Sequence, residues 1–515
     1  MTGGGLMQLV AYGAQDFYLT GNAQITYFKV VYRRHTNFAT ESVEQTFNGS
    51  ATFGGKAVCN IQRSGDLITK MYLNTKISGK STGNWAWVRR VGHALIQDVT
   101  LDIGGTTVDK QYGDWLNIWY ELARNYAHDR GYDKMIGNTP ELTTIGVGEK
   151  SVNLWVPLQF ACCRNDGLAL PVIALQYHDI KISFTFERLD RLINRDSAFG
   201  TPSSADFKME AASLFVDYVY LDDEERKKFA QASHEYLFEQ LQFSGAESLA
   251  NKNNKIRLNL NHPCKELVWV TKCEKYSTGQ KFLAFNPSNM EETRVLATKR
   301  FALKCAKYTT GNVLDLEEDT NKLQIKDAAT YTSFGTIFDR IGAVSTSNSP
   351  DADALIITGE LLTWEECSKT VGSWSLPTPS AGDGHADKDV VVFQHDNYGV
   401  FLDGSVNPTS EVLLQLNSHD RLSKRGGEYF NYVQPYQCHT NTPADGVNVL
   451  SFALNPEEHQ PSGTCNMSRI DNATLSLLVN DKVVGVNGQS SVYIYATNYN
   501  VLRIMSGMGG LAYSN

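Results

Sequence analysis

The chain has 515 residues, 42% of them apolar and 20% charged, with a formal net charge of -9. That length exceeds what one hydrophobic core organises, so two or three domains are expected, and the acidic balance excludes a broad phosphate-binding surface, which needs a basic face. With 24 Tyr and 23 Phe, no long Ala/Leu/Glu/Lys tracts, and turn residues at short intervals, the composition points to an all-β protein.

The opening MTGGGLMQLVAYG lacks both a cationic n-region and a continuous apolar h-region, so no secretory signal is expected. No stretch reaches the roughly 18 apolar residues of a membrane span. Residues 1–21 read as a polar, Gly-containing arm without a core of its own. From Ile25 to Tyr32 the pattern becomes that of a strand, with Ile25, Tyr27, Lys29 and Val31 on one face and Thr26, Phe28, Val30 and Tyr32 on the other. Both faces carry large apolar groups, which places the strand between two layers or against a neighbouring subunit. A first domain is therefore expected over 22–220. Within it, Trp115, Ile118, Trp119 and Leu122 recur at helical spacing and predict a helix over Tyr112–Ala127. After an apolar strand at Ser213–Tyr220, the acidic start and basic end of Leu221–Phe229 suit a short helix, so the linker is placed at 221–235. The second domain spans 236–515, opens on a strand at Tyr236–Phe243, and ends in a tail over 508–515.

The chain repeats its strand pattern at long spacing. Asp66-Leu67-Ile68 matches Glu266-Leu267-Val268. Val152-Asn153-Leu154 matches Val447-Asn448-Val449, and Ala174, Tyr177, Ile180, Lys181 and Ile182 match Ala496, Tyr499, Leu502, Arg503 and Ile504 with identical internal spacing. Three collinear matches predict a duplicated β-sandwich of the jelly-roll kind. The Leu67 and Leu101 landmarks are 34 residues apart, whereas Leu267 and Leu414 are 147 apart. The second domain thus carries one long inserted loop over about 276–409, and a loop of that size is usually functional or decorative.

Motifs that carry chemistry fail on spacing. Gly79-Lys80-Ser81-Thr82-Gly83 would need a Gly where Asn74 stands to bind phosphate, and a following helix to act as a nucleophile elbow, yet Asn84-Trp85-Ala86-Trp87-Val88 alternates like a strand; a polar turn is expected. His234-Glu235 would begin a zinc-protease helix, but Phe238 occupies the second ligand position. Asp351-Ala352-Asp353 starts a calcium loop that Leu355 and Ile356 interrupt. Of the 11 His residues, His385 and His395 form no cluster, and His262, His439 and His459 lie beside Pro-containing turns, where ring-to-backbone bonding is expected. The reading is no catalytic, cofactor or metal residue. The nine Cys at 59, 162, 163, 264, 273, 305, 367, 438 and 465 form no CxxC pair and suit reduced thiols in a reducing compartment, with the adjacent Cys162 and Cys163 read as buried packing. The basic runs Arg33-Arg34-His35 and Arg226-Lys227-Lys228 read as solvated ends. Sequons stand at Asn48, Asn466 and Asn472.

The Leu9–Phe38 stretch resembles the amino terminus of the major capsid proteins of large icosahedral double-stranded DNA viruses. Further landmarks in the same order carry that resemblance: Arg63-Ser64-Gly65-Asp66-Leu67-Ile68, Asp102-Ile103-Gly104-Gly105 with Tyr112-Gly113, Gly167-Leu168-Ala169-Leu170-Pro171, Leu221-Asp222 with Glu225-Arg226, Asn261-His262-Pro263, Gln460-Pro461-Ser462-Gly463, Ser468-Arg469, and Asn498-Tyr499-Asn500-Val501-Leu502-Arg503. The resemblance implies two consecutive eight-stranded antiparallel jelly rolls with minor helices, and a homotrimer of hexagonal outline that tiles a virion shell assembled in the host cytoplasm. It also implies contacts with neighbouring capsomers and with minor capsid and penton proteins, no direct nucleic-acid contact, at most an indirect contact with an inner membrane, and an insert that forms an outward tower. Two other classes fit an aromatic-rich β-sandwich. A carbohydrate-binding protein would show an Asp/Asn cluster or a row of exposed Trp, and a hydrolase two carboxylates across a cleft; the residues display neither clearly.

Overall fold

The computed structural model describes residues 3–513 apart from 84, 144–146, 196–199, 274–284, 286–315, 320–321, 326–406, 481–482 and 485–489. Most of the insert, including Asp351–Asp353, His385, His395, Cys305 and Cys367, therefore lies outside the described residues; within it, residues 316–319 and 322–325 pair as a short antiparallel hairpin.

Two sandwiches follow one another along the chain. In the first, β1 (Phe38–Thr46), β2 (Lys56–Asn60), β3 (Leu67–Ser78), β4 (Ile96–Ile103), β5 (Thr106–Tyr112), β6 (Val152–Pro157), β7 (Ile180–Phe186) and β8 (Lys208–Leu221) form two facing sheets, ordered β1-β8-β3-β6 and β2-β7-β4-β5. In the second, β9 (His234–Ser248), β10 (Asn253–Arg257), β11 (Pro263–Lys272), β12 (Thr409–Leu416), β13 (His419–Asp420), β14 (Val447–Ser451), β15 (Ala473–Val479) and β16 (Ser491–Met505) are ordered β9-β16-β11-β14 and β10-β15-β12-β13. Each strand of the first lobe has its counterpart eight strands later. Pairing is antiparallel throughout and mostly non-local, from Phe38 opposite Leu221 in the first lobe to His234 opposite Ile504 in the second. This interleaved order is that of the jelly roll, here present twice.

Alternation sets each core. Along β7 the burial runs in strict period two, with Ile180, Ile182, Phe184 and Phe186 inward and Lys181, Ser183 and Thr185 outward. They meet Leu73, Ile77, Leu214 and Val216 of the facing sheet, beside Val99 and Leu101 of the neighbouring β4. Trp85 and Trp87, both fully buried, pack edge to face 5.2 Å apart and close one end of this core. The second core gathers Leu267, Trp269, Leu414, Leu475, Leu477 and Ile494. At the β4–β5 hairpin the backbone needs a positive φ at both Gly104 and Gly105, which only glycine adopts freely.

Several expectations require correction. No strand forms over Ile25–Tyr32: the first strand starts at Phe38, and the exposed arm runs on past residue 21 to residue 37, with short helices at Gly4–Val10 and Phe17–Thr20. The alternation is real, but a strand forms only against a partner, and none of the described residues pairs with this segment. The tail at 508–515 is partly a strand, since Met508–Leu511 pairs with the end of β16. Of the three repeats, Leu67/Leu267 and Val152/Val447 fall on equivalent strands (β3 and β11, β6 and β14), as do Leu101 and Leu414 (β4 and β12). The Ile180/Leu502 match does not. It joins β7 to β16, whose counterparts are β15 and β8, because two half-buried strands share a period whatever their place in a sheet. The helix over 112–127 covers Gly113–Ala123, and His234 opens a strand, not a helix.

Trp269 is fully buried with its ring 5.3 Å from Phe430. Trp269→Ala is expected to destabilise the second lobe by about 3–5 kcal/mol, read as a lowered denaturant midpoint of tryptophan fluorescence with the fluorescence of the first lobe unchanged at that midpoint. A midpoint within experimental error of wild type would show that this core does not hold the lobe together.

Candidate functional site: the seam between the lobes and the exposed arm

The Gly113–Ala123 helix belongs to the first lobe by sequence and lies on the second. Its Trp115, Ile118, Trp119 and Leu122 pack against Val268 and Val270 of β11, Val447 and Val449 of β14, and Tyr495 of β16. Helical spacing puts those four side chains on one stripe, and the strand period puts Val268 and Val270 on the face opposite Leu267 and Trp269. The run Leu267-Val268-Trp269-Val270 is therefore continuous and apolar because β11 is buried on both sides. A Cβ at Gly113 would strike the carbonyls of His93 and Ile96, so only glycine admits the helix start at this distance.

Polar contacts fix the seam in register. The Lys272 ammonium reaches Asp114 at 2.6 Å. The Leu241 backbone N–H donates to Asp109 at 3.1 Å, and the Gln240 amide donates to the Val108 carbonyl. The Asn441 backbone N–H donates to the Leu122 carbonyl at 3.0 Å. On the other flank, the Tyr177 N–H donates to the Gly507 carbonyl at 3.0 Å, and a Cβ at Gly507, whose φ is +81°, would meet the Tyr177 ring.

Two buried charge clusters sit beside this seam. Arg164 of the first lobe pairs with Glu239 of β9 at 2.7 Å, and the fully buried Lys265 pairs with the other oxygen of the same carboxylate. Burial drives the Lys265 ammonium below its ordinary range, against the pull of Glu239 and Glu266. Next along β11, Glu266 lies 3.1 Å from His439 Nε2, an ion pair without hydrogen-bond alignment, while His439 Nδ1 lies 2.9 Å from Glu457. Burial opposes a charged His439, but the two carboxylates outweigh it and hold the imidazolium up to about pKa 9. Burial alone would raise Glu266; the facing His439 takes it below the usual carboxylate range instead. A cavity of about 20 Å³, roughly one water, separates Asp109 and Cys162 from Tyr236, Phe238 and Leu502. Burial lifts the Asp109 carboxyl there to about 6.

The singled-out motif residues are dispersed. Residues 79–83 form a loop that bends at 81–83, with Lys80 paired to Asp206 at 3.4 Å. His234 Nε2 contacts the Phe229 carbonyl at 2.7 Å, and the sequon asparagines Asn48, Asn466 and Asn472 are exposed. His439 departs from the expected backbone contact, since its ring faces two carboxylates. Cys162 and Cys163 carry sulfurs 3.9 Å apart, and the seven described cysteines are free thiols. Among the described residues, no group of three or more His, Cys, Asp or Glu side chains is placed to hold a metal ion. Sequence reasoning missed Arg164, Glu239, Lys265 and the Glu266–His439–Glu457 cluster; the signal available was Lys265-Glu266, two charges embedded in the apolar strand Cys264–Val270.

The arm is the reverse of the seam. Tyr18, Leu19, Tyr27, Phe28, Val30 and Tyr32 are 82–99% exposed, and clustered exposed apolar side chains of this kind mark interaction surfaces.

Glu239→Gln removes the common partner of two buried cations, and a loss of about 3–5 kcal/mol in chemical denaturation is expected; a change under 1 kcal/mol would show the cations to be solvated. The His439 stabilisation is complete below its ordinary pKa of 6.5 and lost as pH rises through 9, whereas the depressed Glu457 stabilises fully above 4.5 and is lost as pH falls below that. Melting temperature should therefore plateau between 4.5 and 6.5 and decline toward pH 9, and His439→Gln should flatten the alkaline decline.

Residues 225–510 match the family model described as large eukaryotic DNA virus major capsid protein, and residues 26–222 match that of the major capsid protein N-terminus. The chain is 44% identical to a major capsid protein of Phaeocystis pouchetii virus and 42% identical to capsid protein 1 of Acanthamoeba polyphaga mimivirus, in both cases over 99% of this chain and 100% of the relative. It is similar to the crystal structure of PBCV-1 VP54, with 32% identity and a TM-score of 0.67 over 95% of this chain and 100% of that one. A twofold-repeated jelly roll locked at a buried seam and matched along its whole length leads to one assignment: the chain belongs to the major capsid protein family of large eukaryotic DNA viruses and is a structural protein of the capsid.

Proposed function

We propose that three copies of this chain form a trimeric capsomer that tiles the flat facets of the shell. The supporting observation is the seam. It joins two lobes of equivalent strand order with apolar contacts and buried ion pairs, so each subunit presents two similar units at a fixed angle. Three such subunits give six similar units around a threefold axis, a nearly hexagonal outline that packs without six different conformations. The work is geometric, with binding energy drawn from apolar burial and edge pairing between subunits, and no catalytic step is assigned. Contacts with neighbouring capsomers and with minor capsid and penton proteins follow from the same reading, as does assembly in the host cytoplasm. The insert over 276–409 is assigned to the outer surface: an addition of that size between β11 and β12 finds room only where no neighbour packs. The carbohydrate-binding reading finds no comparable support.

Native mass measurement with negative-stain microscopy tests this directly. Hexagonal particles of three chains are expected, and a monodisperse monomer with sugar affinity would overturn the proposal. Deleting residues 1–20 should leave the trimer intact and impair shell assembly; failure of the deleted chain to fold would show the arm to be a core element. Replacing Asp351–Asp387 with a short Gly/Ser link should likewise spare the trimer and alter antibody recognition of the particle. Loss of the trimer would instead place the insert in the subunit interface.

A further inference from the structure

We propose that residues 25–34 of one subunit occupy a groove on the first lobe of the next subunit in the trimer, an inference that rests on the trimeric reading above. The groove encloses about 540 Å³ on the outer face of the β1-β8-β3 sheet, between that sheet and the Asp223–Gln231 helix. Its floor follows from strand alternation. Leu214, Val216 and Tyr218 point into the core, so Asp217 and Val219 point out, with Thr40 and Leu67 beside Val219 on the neighbouring strands.

The groove and the arm are complementary. Val219, Leu221 and Phe229 give the groove an apolar base, and Asp166, Asp217 and Glu225 set three carboxylates around it against the single cation Lys70. Glu225 Oε2 is buried with no hydrogen-bond partner among the described residues, an acceptor in want of a donor. The segment from Ile25 to Arg34 is ITYFKVVYRR: three cations, no acid, and apolar side chains on both faces of an extended chain. It forms no strand in the isolated subunit, and Lys29, Arg33 and Arg34 are exposed. Apolar packing with guanidinium-to-carboxylate pairing is what such a segment and such a groove offer each other.

A second copy, rather than the same chain, is the occupant because Thr36 and Phe38 already lie at the groove. Residues 33 and 34 are too few bonds away to reverse direction and lie across it without a turn, and Tyr32-Arg33-Arg34-His35 contains no Gly, Pro, Asn or Asp to make one. Contacts in which each copy gives one arm and receives one are head to tail, and a threefold rotation closes them into a ring.

The test is photocrosslinking of the full-length protein with a benzophenone amino acid in place of Tyr32. The expected result is dimer- and trimer-sized bands on a denaturing gel, with peptides mapped to residues 36–42, 217–221 or 225–229. Arg33→Glu with Arg34→Glu, or Asp217→Lys with Glu225→Lys, should reduce those bands by about tenfold, an ordinary loss for reversed charge pairs at an interface. Combining both pairs of substitutions should restore them. Cross-links confined to the monomer band would mean that the arm folds back on its own chain, and peptides mapped elsewhere in an intact trimer would mean that it docks elsewhere; either overturns the inference alone. Particles of native monomer mass would instead overturn the trimeric reading beneath it.

Discussion

Burial of β11 on both faces is the constraint on which the rest of this molecule depends. A jelly-roll strand normally shows one face to its own core and the other to solvent or a neighbour. Here Leu267 and Trp269 fill the second core while Val268 and Val270 receive the Gly113–Ala123 helix of the first lobe. Both lobes therefore share one strand as a common wall, and a one-residue slip would turn Trp269 into the seam and Val268 into the core. The adjoining ion pairs of Lys272 with Asp114 and of Lys265 with Glu239 penalise such a slip further, since each would leave a desolvated charge without its partner.

Charge is placed accordingly. Where the lobes meet, Lys265, Glu239, Glu266 and His439 are buried and mutually compensated, so their role is to specify one register more than to add net stability. Where the subunit meets others, the arm leaves its cations and apolar groups uncompensated. The contrast separates what is completed within one chain from what needs another.

Much of the fold could be read from the residues. Strand-like runs at Ser213–Tyr220 and Tyr236–Phe243 located β8 and β9, and the acidic-to-basic gradient of Asp223–Gln231 located the helix between them. The repeat was legible where it rested on the twice-buried Leu267-Val268 and on Val447-Asn448-Val449, whose apolar character depends on their place in a sheet. It misled at Ile180 and Leu502, where a shared period carries no information about sheet position. At Ile25–Tyr32 the sequence encodes a strand that finds no partner among the described residues, because alternation states a preference and pairing requires a second backbone. The charge clusters of the seam were hidden for another reason: Arg164, Glu239 and Lys265 are far apart in sequence, and only the fold brings them together.

The unequal connections of the two lobes bear on how such a surface can vary. Residues 273–408 join β11 to β12, where residues 79–95 join the equivalent β3 to β4. Loop-closure entropy grows only with the logarithm of length, at about 0.6 kcal/mol per doubling, so a connection about eight times as long adds roughly 2 kcal/mol. That is less than the loss of one buried tryptophan. Since β11 is anchored on both faces, the ends of the connection are held whatever lies between them. The lobe thus has a port at which sequence of almost any length can be exchanged with little thermodynamic consequence for the sandwich beneath it.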